Sequence, residues 1–169
     1  LTRMGYKYLS LKNEHNINQK TNIFKDIFIK SLLKINQQTT ANEIEKLLLN
    51  LELILDNKDL GKEFYDKLLN NPNLKLIDFN NIENNSFHVV AELTYKNEGE
   101  EFRPDITLLI NGMPLAFIEV KKPNNKDGIM AERKRINARC KNEKFRRFIN
   151  ITQILLFSNN MEYEDDSIE

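Results

Sequence analysis

With 169 residues, 40% hydrophobic and 30% charged, the chain has the length and composition of one globular domain that buries its own core. Formal net charge is zero, which excludes a uniformly basic polyanion binder but leaves room for a local basic face. Cys140 is the single cysteine, which excludes an internal disulfide and fits a reducing cytoplasm, and no apolar run approaches the ~18–20 residues of a membrane helix.

Residues 1–20 read as a polar, partly extended opening in which Gly5-Tyr6-Lys7-Tyr8 is weakly strand-like. Over 22–35, Ile23, Phe24, Ile27, Phe28, Leu32 and Ile35 recur at helical spacing. Thr40-Ala41-Asn42-Glu43 is a capping-box pattern, so a second helix starts there with Ile44, Leu47, Leu48, Leu51, Ile54 and Leu55 as its buried stripe. A shorter helix is predicted over 59–69, stopped by Asn70-Asn71-Pro72-Asn73. Residues 74–79 alternate like a strand, 80–85 form a turn-rich gap, and 87–95 alternate again with Phe87, Val89, Ala91 and Leu93 on one side.

The strongest strands are 105–110 and 115–121, on either side of Asn111-Gly112-Met113-Pro114, where Asn-Gly is a hairpin signal. A helix opened by Asp127 as N-cap is expected to run to about 142, and 149–157 reads as a buried strand. The order predicts an α/β domain with a mixed central sheet flanked by helices. Its helical portion covers about 20–70 and its α/β core about 74–160, and the last helix crosses over to lay 149–157 beside 115–121. No signal peptide opens the chain. Its start at Leu1 and its acidic end over 162–169 read as cuts from something longer.

Asp105 is followed by thirteen residues and then by Glu119-Val120-Lys121. Residues two apart on a strand share a face, so Glu119 and Lys121 point one way and Val120 is expected to point into the core. A strict two-residue turn at Asn111-Gly112 would pair Asp105 with Ile118 and put Glu119 on the wrong face. A three-residue connection, or one β-bulge, sets Asp105 opposite Glu119. Two carboxylates so placed suit Mg²⁺, a hard cation that prefers oxygen ligands, with the Val120 carbonyl as a third ligand. Such a cation activates water and polarises a phosphate, and Lys121 would orient the water and offset the charge of the transition state. The competing reading is a Glu–Lys ion pair exposed on an edge strand, which is common and nearly neutral in energy.

Longer stretches add to the trio. Asn84-Asn85-Ser86-Phe87, Arg103-Pro104-Asp105, Asn111-Gly112-Met113-Pro114-Leu115 and Glu119-Val120-Lys121-Lys122-Pro123 occur in that order, and the chain opens with Leu1 and Gly5-Tyr6-Lys7-Tyr8. This pattern closely resembles the N-terminal nuclease region of the restriction (R) subunit of type I restriction enzymes. The resemblance implies a PD-(D/E)xK endonuclease fold with Asp105, Glu119 and Lys121 catalytic. It also implies Mg²⁺ dependence, double-stranded DNA as substrate, and modification and specificity subunits as partners. In that family an ATP-driven translocase follows the nuclease, and no P-loop occurs in these residues.

Two departures stand out. Many members carry Q-x-x-x-Y on the helix after the catalytic strand, and Arg135 and Arg139 stand in its place here. The family also usually has a glutamate on a helix ahead of the Gly-Tyr segment, a stretch these residues do not include. Other readings stay open: a repair nuclease of the same superfamily, or a nuclease fold kept only to dock DNA or a partner.

Residues 121–147 are rich in lysine and arginine, with Asp127, Glu132 and Glu143 as the only acids. Lys122, Arg133, Arg135 and Arg139 are the candidates for DNA phosphate contact, against a plain solvated helix face. Phe145 and Phe148 read as core. His15 and His88 have no second histidine or cysteine at ligand spacing, which argues against zinc.

Overall fold

The computed structural model describes residues 1–72, 74–122 and 128–158. Asp127, Pro123 and the acidic run 162–169 lie outside the described residues. The first third is helical: α1 (Lys25–Ile35), α2 (Ala41–Ile54) and α3 (Lys62–Leu69). At Thr40 the capping box forms, the Glu43 N–H donating to Thr40 Oγ1 at 3.3 Å and the Thr40 N–H to Glu43 Oε2 at 2.8 Å. The α2 stripe of Ile44, Leu48, Leu51 and Ile54 is buried as expected. Helix α1 starts later than the apolar spacing predicts. The Phe24 N–H is engaged by the Gly112 carbonyl at 2.9 Å, so Phe24 caps the helix rather than continuing it.

The strands are β1 (Lys7–Leu9), β2 (Phe87–Ala91), β3 (Tyr95–Asn97), β4 (Glu100–Phe102), β5 (Ile106–Ile110), β6 (Met113–Val120) and β7 (Ile154–Ser158). Five of them make one mixed sheet in the order β1-β2-β5-β6-β7, and β3 and β4 form a separate hairpin. Two more helices, α4 (Gly128–Cys140) and α5 (Arg146–Ile151), connect β6 to β7. Strand β7 then lies parallel to β6, which is the crossover the sequence predicts.

Helices α1–α3 bury a core with Met113, Leu115 and Ile151. Tyr95, Phe102, Phe117, Ile136, Phe145 and Phe148 form a second cluster that packs β4 and α4 over the far half of β6. Among the described residues no helix is long and apolar enough to cross a membrane.

Four expectations are corrected. Residues 74–79 form no strand, because their backbone groups bond to side chains instead of a neighbour. Asn111 Nδ2 donates to the Leu76 carbonyl at 2.9 Å, and Asn85 takes both the Asp78 N–H and its carbonyl, each at 2.9 Å. The segment 87–95 breaks after Ala91, where Glu92 turns left-handed at φ 55° and its N–H bonds to the Asp105 carbonyl. Phe87, Val89 and Ala91 share one side of β2 as expected, Leu93 lies past the break, and Val89 and Val90 are both buried, so the sheet is covered on both sides there.

The third correction concerns 149–157. Its first part closes α5, with Asn150 Nδ2 donating to the carbonyls of Leu55 and Asn57 at 2.9 and 2.8 Å. Strand β7 follows as an edge strand with Ile154, Leu155 and Leu156 exposed. Fourth, Val120 is 43% exposed rather than core, because the same open sheet face extends to the end of β6.

Candidate active site

Asn111 at φ 51° and Gly112 at φ 81° form a two-residue turn of the type that matches strand twist. A Cβ on Gly112 would stand 2.7 Å from the Phe24 carbonyl oxygen, so the residue there must be glycine. The turn pairs Ile110 with Met113, which alone would give the wrong face. A bulge then adds Leu115 to β6 between the pairs Leu109–Pro114 and Leu108–Ala116. Past the bulge Ile106 pairs with Ile118, so Asp105 stands across from Glu119 on the same face. The bulge, and not a longer turn, sets this register.

Asp105 Oδ2 accepts the Val120 N–H at 2.7 Å, which pins its carboxylate at the end of β6. Glu119 is 8% exposed. Its Oε1 accepts from Lys121 Nζ at 2.9 Å, and its Oε2 is buried with no hydrogen-bond partner among the described residues. A buried carboxylate oxygen without a donor is costly, and a cation ligand removes that cost. The residues present therefore fit a divalent cation held by Asp105 and Glu119. Among the described residues no cluster of three or more acidic, histidine or cysteine groups suits a metal, so the fit rests on these two. Val120, read as a carbonyl ligand, enters the recorded contacts through its N–H to Asp105.

Lys121 Nζ also reaches Glu132 Oε2 at 3.2 Å. Glu132 lies on α4, is 3% exposed, and is gripped by Arg135 Nη1 at 3.0 Å and Arg139 Nη1 at 3.4 Å. Burial works against the Lys121 charge, yet the hydrogen bonds and charges of Glu119 and Glu132 hold the ammonium above the ordinary lysine range. Burial likewise opposes the Glu132 charge, but Lys121 and then Arg135 hold that carboxyl below the usual carboxylate range. The Arg139 guanidinium lies 3.8 Å from the ring centre of Phe102, a cation–π contact that fixes it over the second core cluster.

An open groove of about 600 Å³ runs across this face, lined among others by Lys96, Arg103, Glu119, Glu132, Arg135 and Arg139. Of the four basic candidates, Arg135 and Arg139 line the groove, whereas Lys122 and Arg133 are exposed outside its lining. Sequence reasoning missed Glu132 as a site residue. The signal was present: Glu132, Arg135 and Arg139 stand at i, i+3 and i+7, one helix face, and that face was read for its arginines alone. It also missed Arg103, which the β3–β4 hairpin carries to the groove wall.

The sequence pattern of the family described as type I restriction enzyme R protein N terminus matches residues 1–164. The chain belongs to that family. Among its curated relatives is a protein of Methanocaldococcus jannaschii named as the type I restriction enzyme MjaIXP endonuclease subunit. The two are 35% identical over 152 residues, which is 74% of this chain and 14% of the relative. The MjaVIIIP endonuclease subunit of the same organism is 35% identical over 107 residues, 63% of this chain and 10% of that protein. The MjaVIIP subunit is 40% identical over 67 residues, 40% of this chain and 6% of the relative. The chain therefore spans a small part of each relative, 14% at most.

Proposed function

We propose that this domain is the metal-dependent DNA-cutting module of a type I restriction enzyme R subunit. The observation that carries the reading is Glu119, buried, with Oε2 lacking a donor among the described residues, on the face it shares with Asp105 and beside Lys121. Asp105 and Glu119 would hold Mg²⁺, which when bound activates water and polarises the scissile phosphodiester. Lys121 donates from beside Glu119, where it orients the attacking water and offsets charge that grows on the phosphate in the transition state. In-line attack leaves a 5′-phosphate and a 3′-hydroxyl. Arg103, Arg135 and Arg139 place guanidiniums along the groove, a geometry suited to bidentate contact with DNA phosphates.

The names of the relatives, endonuclease subunits of type I restriction enzymes, support a place in a multisubunit restriction complex; modification and specificity subunits as its partners and double-stranded DNA as its substrate are part of the proposal. The test is Lys121→Ala and Asp105→Asn in the assembled full-length enzyme. Cleavage is expected to fall at least about 10²-fold, the usual consequence of removing one group that stabilises transition-state charge, with ATP hydrolysis retained. Cleavage that survives both changes would leave only a docking role for this fold.

A further inference from the structure

Lys121 is shared. Its ammonium sits 2.9 Å from Glu119 and 3.2 Å from Glu132, and so bridges the two carboxylates. A cation that takes Glu119 must compete with Lys121 for Oε1. If Glu119 were the only partner of Lys121, that exchange would leave a partly buried ammonium without its counter-charge, which is unfavourable. Glu132 is already in contact, is nearly inaccessible, and is held by Arg135 on the oxygen that Lys121 reaches, Oε2, and by Arg139 on Oε1. The lysine can therefore leave Glu119 and keep a full counter-charge without moving across the groove.

We propose that Glu132 is a positioning residue that acts through Lys121, retaining its ammonium so that Glu119 is free to hold a divalent cation. The inference rests on Asp105 and Glu119 being the metal-holding pair. It assigns to α4 a task distinct from phosphate contact: Arg135 and Arg139 keep the Glu132 carboxylate charged and aimed at the end of β6. Removing Glu132 leaves Lys121 to neutralise Glu119 alone, and metal binding weakens although no ligand has been touched.

The experiment titrates this chain with Mn²⁺ alone, reading free Mn²⁺ by electron paramagnetic resonance, with fold checked by circular dichroism. Glu132→Gln is expected to weaken Mn²⁺ binding about tenfold, and Glu132→Asp to restore part of it. Lys121→Gln, which removes the competitor, is expected to tighten binding several-fold. In the Lys121→Gln background, adding Glu132→Gln should change the affinity less than about twofold, because coupled residues fail to add. An equal loss from Glu132→Gln in both backgrounds would overturn the proposal, because Glu132 would then act on the cation directly or through general destabilisation. No tightening in Lys121→Gln would overturn it without reliance on any Glu132 variant. Asp105→Asn separates the two readings. If it leaves Mn²⁺ affinity unchanged, the metal pair itself is wrong and the Glu132 inference falls with it. If it abolishes binding while Glu132→Gln does nothing, only the Glu132 inference falls.

Discussion

At Asn111 a left-handed backbone coincides with complete burial, φ 51° at 0% exposure. Its Oδ1 accepts the Ser86 N–H at 2.8 Å, and its Nδ2 donates to the Leu76 carbonyl and to Asn85 Oδ1 at 2.9 and 2.8 Å. One side chain thus ties the β5–β6 turn to the irregular 74–79 segment and to the start of β2. Asn111→Ala would leave a buried N–H and a buried carbonyl without these partners and put alanine, which tolerates positive φ less well than asparagine, at φ 51°. A loss of about 2–4 kcal/mol is expected, read as a lower urea midpoint at unchanged slope. Asn111→Gly relieves the backbone but not the network, so it should recover only a small part. Full recovery would show that the network contributes little.

The same scale explains what the sequence disclosed of the site. That Glu119 and Lys121 share a strand face was legible because alternation is a short-range rule, whereas the place of Asp105 opposite Glu119 depended on a register the sequence left open. Glu132 was not legible, since a glutamate among arginines reads as solvated. In the fold it is 3% exposed and meets Lys121 at the end of β6 at 3.2 Å, a contact between elements that no helical periodicity reports.

Among the elements, β5 and β6 were legible as a hairpin with a choice of two registers, and the bulge at Leu115 decided between them. The 74–79 segment was misread because its bonds go to Asn85 and Asn111, which no local periodicity reports. The β3–β4 hairpin was missed because each strand has only three residues, too few to establish a period.

Strand β1 carries a prediction of its own. Lys7 pairs with His88 across β1–β2, and the His88 Nδ1 is buried without a partner among the described residues. Burial, and then the Lys7 charge, push the imidazole pKa below its ordinary 6.5. The unfolded chain therefore binds more protons than the folded one as pH falls through 6.5. Stability contributed here is present above that range, declines as pH drops through it, and levels off below the folded pKa. His88→Leu should flatten this limb of a thermal melt series against pH. An unchanged slope would place the pH dependence elsewhere.

Over the whole molecule, the sheet is covered unevenly, and this arranges the site. One face is closed near Glu119 by α4, α5 and the small hairpin, which leaves Glu119 8% exposed where it lines the open groove. On the opposite face Val120, Ile154 and Leu156 remain exposed, so the end of β6 lies between a covered face that holds the charged trio and an open one. The fold class, with a mixed sheet and a parallel crossover, followed from the order of elements. The exposure of β7 did not, because an apolar strand has the same sequence whether or not another layer covers it.

The account depends on Asp105 and Glu119 holding one cation between them. Crystals of this domain soaked in Mn²⁺ and measured at the manganese absorption edge test that most directly. The expected result is an anomalous peak within coordination distance of both carboxylates, with Lys121 drawn onto Glu132. A peak on other residues, with Glu119 still paired to Lys121, would contradict it.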